Sequence, residues 1–146
     1  MREYIGGNMS AYQSQNTLFK DEESLLKALC DNGFEREHIE VHEQSQVLID
    51  YHGLPRPQRG TIIIRRKYVG GAANDIGFDK NAEGFYEAHV SDYDQHKHGP
   101  VWMTAVKKSY AEHGLIKQSA CMGLVYLGTK VDEVTGLKKV QFGVAA

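Results

Sequence analysis

Cysteine is scarce in this chain, and its scarcity excludes the usual staples of a small protein that cannot build a full core. The two cysteines, Cys30 and Cys121, supply neither a disulfide framework nor the spacing of a zinc site. Both fall inside helical patterns and are expected as reduced core residues, where free cysteine usually sits. No apolar run approaches the roughly 18 residues of a membrane-crossing helix, and Met1 to Gly7 lacks the apolar stretch of a signal peptide. The expectation is a cytoplasmic protein with no membrane partner. Net charge is nearly absent as well: a formal value of -2 argues against whole-surface attraction to nucleic acid or anionic lipid. Standard phosphate-binding glycine loops, helical zinc-protease motifs and nucleophile motifs are also missing.

What is present suits one domain. At 146 residues with 41% apolar and 25% charged residues, the chain can bury a single core. Met1 to Asn8 has no periodicity and reads as a flexible lead-in, with the domain over residues 9–146. Ser10 to Phe19 permits a strand. From Asp21 to Asn32 the pattern is helical: Asp21 can cap, Glu22 and Glu23 suit the positive end, and Leu25, Leu26, Leu29 and Cys30 form a stripe that Gly33 ends. His38 to His42 alternates as a strand, and Val47 to Ile49 continues the pairing. His52 to Gly60 holds Pro55 and Pro57 and reads as an extended surface loop. Thr61 to Tyr68 is rich in β-branched residues and reads as a central strand. Asn74 to Phe78 and Phe85 to Val90 form a hairpin. Pro100 opens a second helix, running to about Met122 with a possible bend at Gly114. Leu124 to Lys130 and Lys138 to Val144 form a terminal hairpin. The fold class is therefore α+β, with a largely antiparallel sheet and two helices.

Three clusters could carry chemistry. Between Gly53 and Asn74 the charges are all basic, Arg56, Arg59, Arg65, Arg66 and Lys67, flanked by Tyr51, His52 and Tyr68. Arginine forks suit phosphate oxygens and aromatic rings suit bases. Cross-strand pairing with Asp75, Asp79, Glu83 and Glu87 is the competing use of the same charges. Asp92, Asp94, His96 and His98 alternate and would share a face if extended, but no cysteine is near and no metal is assigned. His38, Glu40 and His42 share a strand face, which reads as solvated. His42 and Glu43 are adjacent on that strand and point to opposite faces, so they make a poor catalytic dyad. Trp102 and Tyr110 fit a buried helical stripe.

Several strings together resemble a known family. They are the Met9-Ser10 start, Leu25-Leu26-Lys27-Ala28-Leu29 ending in Gly33-Phe34, Tyr51-His52-Gly53, Ile62-Ile63-Ile64-Arg65, Asn74-Asp75-Ile76-Gly77-Phe78 and the tail hairpin. The chain is similar to the Ycf-type hypothetical-chloroplast-reading-frame family of plastids and cyanobacteria, with relatives in other bacteria and tailed phages. That resemblance implies a fold and a gene context, often beside an ATPase of the AAA type, and no catalytic residues. The expectation is a non-catalytic binding or adaptor protein with a protein partner and no cofactor. The partner could be such an ATPase, or a host protein if the gene is viral. The expected partner- or phosphate-binding residues are Tyr51, His52, Arg56, Arg59, Arg65, Arg66 and Lys67. A protein partner would grip the Gly53 to Gly60 loop, and the alternative is a nucleotide or single-strand binder working through Arg56, Arg59, Arg65 and Arg66.

Overall fold

A computed structural model describes residues 11–144. The lead-in over residues 1–8 and the start at Met9 lie outside the described residues. The chain runs β1 (Tyr12–Asn16), α1 (Glu22–Asp31), a 3-10 turn (Arg36–His38), β2 (Ile39–Ile49), β3 (Pro55–Ile64) and α2 (Arg66–Val69). It continues through β4 (Ile76–Lys80), β5 (Tyr86–Ser91), α3 (Gln95–His98), α4 (Pro100–Cys121), β6 (Leu124–Val131) and β7 (Lys138–Val144). The architecture is α+β: a five-stranded antiparallel sheet in the order β1-β5-β4-β3-β2, and a separate two-stranded sheet, β6-β7.

Local chemistry sets the first helix. Asp21 accepts from the Ser24 amide at 2.9 Å, satisfying an orphan donor, while Glu22 and Glu23 face the helix dipole favourably. At the other end Gly33 takes a φ of 110°, and the Phe34 amide turns back to Leu29 O at 3.3 Å. The buried stripe is Ser24, Leu25, Ala28 and Leu29. Cys30 lies one residue, about 100°, beyond that arc. Both Cys30 and Cys121 are exposed, correcting the expected core placement.

One sheet face carries Ile62, Ile64, Ile76, Phe78, Ala88 and Val90 against Leu25 and Leu29 of α1 and Met103 and Val106 of α4. Trp102 and Tyr110 pack on this core and are tied to it by hydrogen bonds. Trp102 Nε1 donates to Asn32 O at 2.9 Å, and Tyr110 Oη accepts from the Lys20 and Asp21 amides. At Gly77 the other face is covered by the chain's own β2-β3 hairpin. Register shifts between Val41 and Gln46 and between Val47 and Ile49 bend β2. Leu48 then sits on Gly77, where an added Cβ would lie 2.7 Å from Leu48 Cδ2.

Three further expectations change. The segment His52 to Gly60 is a loop only as far as Leu54; from Pro55 it is strand. There β3 pairs with β2 alone, because its pairing with β4 covers only Ile62 to Ile64, so the prolines are tolerated as on an edge. The central strand ends at Ile64, and Arg66 to Val69 turn as a short helix. Helix α4 runs unbroken through Gly114. No helix among the described residues is long and apolar enough to cross a membrane.

Candidate functional site

Asn74 and Asp75, both buried, are the centre to which the basic segment is tied. Asp75 Oδ2 accepts from the Ile49 amide at 2.8 Å and from Arg65 Nη1 at 2.8 Å, and its Oδ1 accepts from the Arg66 amide at 2.7 Å. Its own amide donates to Ile49 O at 3.0 Å. Asn74 Oδ1 accepts from the Tyr51 amide at 2.8 Å, and its Nδ2 donates to Ser91 Oγ at 2.8 Å. Together these residues clamp the tip of the β2-β3 hairpin to the start of β4. With Gly77 under Leu48 and Phe78 in the core, the Asn-Asp-Ile-Gly-Phe string has a structural use at nearly every position.

The basic residues are largely committed within the chain. Arg65 Nε bridges both oxygens of Glu40 at 3.0 and 3.1 Å while its Nη1 holds Asp75. His42 Nε2 contacts Glu40 Oε1 at 2.8 Å. Burial works against the Glu40 charge, but hydrogen bonds from Arg65 and His42 hold its carboxyl below the ordinary value. Arg66 Nη1 donates to Tyr51 O at 2.8 Å, and Arg59 Nη2 donates to Ser45 O at 2.7 Å. Arg56 lies 3.6 Å from the buried Asp50 carboxylate and over the Tyr12 ring. Lys67 is exposed, its Nζ 4.9 Å above the Tyr68 ring. Tyr51 and His52 occupy the exposed turn, with rings 4.0 Å apart.

Of the expected site residues, the structure gathers Arg65, Arg66 and Lys67 around one open cavity of about 510 Å³, shared with Gln46, Val47 and Asp75. Arg56, Arg59, Tyr51 and His52 do not line it. Internal pairing is thus how Arg65 is used, with Glu40 as a partner that strand spacing alone could not reveal.

The alternating acids and histidines behave otherwise than an extended segment would. Gln95 to His98 is a helical turn, so Asp92, Asp94, His96 and His98 do not share a face. Asp94 is buried and accepts from Ser91 Oγ at 2.7 Å and the Asn74 amide at 3.0 Å. Burial holds the His98 imidazole below its ordinary value, with Asp94 opposing. Sequence reading missed a different group: Glu35, Glu37 and His38 bring ligand atoms within 4.8 Å of one another. The acids are exposed, and His38 is already stacked on Tyr68 with centroids 3.9 Å apart.

The least satisfied surface is the distal arm, made of the second half of α4 and the β6-β7 hairpin. Leu115, Met122, Val125, Tyr126, Leu127 and Leu137 are all exposed, Met122 at 70% and Leu127 at 66%. The hairpin is pinned to α4 by Glu112, which receives Lys138 Nζ at 2.8 Å and the Thr129 hydroxyl. Beside that polar pin, Ala111, Leu115, Leu137 and Val140 line an apolar groove of about 230 Å³. No family model matches the chain, and no curated protein or solved structure matches it.

Proposed function

We propose that this chain is a non-catalytic binding or adaptor protein that engages another protein through its distal arm. The observation that carries the reading is the exposed apolar surface of α4 and β6-β7. A two-stranded hairpin is marginal by itself in water, and so many exposed apolar side chains gathered on one arm favour a protein contact over solvent. The resemblance to the Ycf-type family, with its AAA-type ATPase neighbours, supports an ATPase as the partner; a host protein takes that place if the gene is viral. Affinity purification from cells that make the protein tests the reading. A protein retained at stoichiometric level through a high-salt wash is expected, because an apolar contact responds little to ionic strength. Retention of nothing at that level would refute it.

A second reading rests on the cavity beside Arg66 and Lys67, which offers cationic groups to a nucleotide or single strand. Such binding would weaken steeply with salt, and Arg66→Ala would reduce the slope. Absence of binding at low salt would remove it.

A further inference from the structure

Strand β1 ends the five-stranded sheet, and among the described residues nothing pairs with its outer edge. The direction of its backbone groups follows from the ladder. The Asp92 amide donates to Ala11 O at 2.7 Å, which marks that pair as hydrogen-bonded. Bonded pairs alternate with pairs whose groups point apart. With Tyr12 opposite Ser91, Ser14 opposite His89 and Asn16 opposite Glu87, these are the pairs that point apart. The far side of β5 agrees: the Asn81 amide donates to Phe85 O at 2.8 Å, so the Asp79 and Glu87 pair is bonded and Glu87 turns its groups away from Asn16. The contact of Ser14 Oγ with His89 Nδ1 at 2.7 Å also fits, since side chains approach most closely at such pairs. Tyr12, Ser14 and Asn16 therefore direct their amides and carbonyls outward.

The two sheet edges are treated differently. Strand β2 carries Glu40, His42 and Glu43 and is broken by register shifts, devices that keep an edge from pairing. Strand β1, Tyr-Gln-Ser-Gln-Asn, has no charge, no proline and no shift.

We propose that β1 is a self-association site, where a second copy of this chain adds its own β1 antiparallel across a two-fold axis at Ser14. The outward groups set the register. Ser14 meets Ser14 and Tyr12 meets Asn16, so each outward amide finds a carbonyl, whereas a one-residue slip would mismatch every pair. The Gln-Ser-Gln centre reads the same in both directions, which suits a two-fold contact better than a foreign strand. It places Gln13 beside Gln15 of the second copy on the helix side of the sheet. There Gln13 Nε2 already donates to Asp92 Oδ1, and a polar groove of about 390 Å³, lined by Gln13, Gln15, His98, Thr104 and Lys107 among others, can take the Gln15 carboxamide. No like charges meet along the strand pair.

Sedimentation equilibrium of the full chain, from low to high micromolar, tests the proposal. Wild type is expected to be dimeric. Ser14→Pro removes an outward amide and the hydroxyl contact with His89 but no ladder hydrogen bond, so the pairing with β5 should survive while the dissociation constant rises at least about tenfold. Ser14→Lys and Ser14→Glu should each weaken the dimer alone, and an equimolar mixture should restore it as a heterodimer. This charge pair decides the matter even if Ser14→Pro fails to fold. A wild type that stays monomeric at high micromolar, with or without a foreign peptide on β1, would overturn the proposal. So would a dimer indifferent to all three substitutions.

Discussion

Asp75 shows how one side chain can organise a fold. Its carboxylate is 1% exposed and serves two backbone amides and a guanidinium. Removing it leaves buried donors unpaired and Arg65 with Glu40 alone, a change that costs about 3 kcal/mol or more. Asp75→Ala is expected to lower the unfolding free energy from urea titration by that amount, and Asp75→Asn, which keeps the shape, by clearly less. Equal unfolding free energies for Asp75→Ala and wild type would show that the clamp is not needed. The sequence hinted at this pairing, because neighbouring antiparallel strands commonly set opposite charges against each other. It could not reveal Glu40, whose approach depends on a register shared between β2 and β3. The cysteines misled for a related reason. A helical pattern marks a stripe only to within one residue, and Cys30 falls just outside it.

Helix α1 was legible because its signals are local: a capping aspartate, two acids, a four-residue stripe and a glycine stop. Asp21→Ala is expected to lower stability by about 1 kcal/mol through loss of the cap to Ser24, read from equilibrium unfolding. Asp21→Ser, which can still cap, should recover most of it. No loss on Asp21→Ala would mean that the packing of α1 against α4 alone holds the helix. The β4-β5 hairpin was equally legible from its turn residues. The first part of strand β3, from Pro55 to Gly60, was not, because Pro55 and Pro57 argue against a strand until the neighbours are known. On that stretch β3 has a neighbour on one side only, so a missing amide there costs little. The arm was legible as elements but not as a surface, since exposure depends on what the rest of the chain fails to cover.

At the scale of the whole molecule, the second sheet face buries His89, and α3 meets α4 at the half-buried His98. Burial pushes both imidazoles below their ordinary value of 6.5, against the pull of Glu87 and Asp79 for His89 and of Asp94 for His98. A folded value below the unfolded one means that the unfolded chain binds more protons in between. Stability is then fully present above about pH 6.5 and falls as pH drops toward the folded values. Unfolding free energies at pH 7.5 and 5.5 check the sign, and His89→Gln should flatten the decline. A wild type more stable at the lower pH would contradict it.

The molecule thus has a well-tied core domain and an arm whose apolar residues remain in solvent. Quantitative capture from cells that make the protein compares wild type with Leu137→Asp, Met122→Asp and Arg66→Ala, each first shown to be folded by circular dichroism. If the arm is the binding surface, a stoichiometric protein should be retained by wild type and Arg66→Ala and lost, at least about tenfold, on both arm substitutions. A partner held equally by the arm variants, or lost only on Arg66→Ala, would contradict binding through the arm.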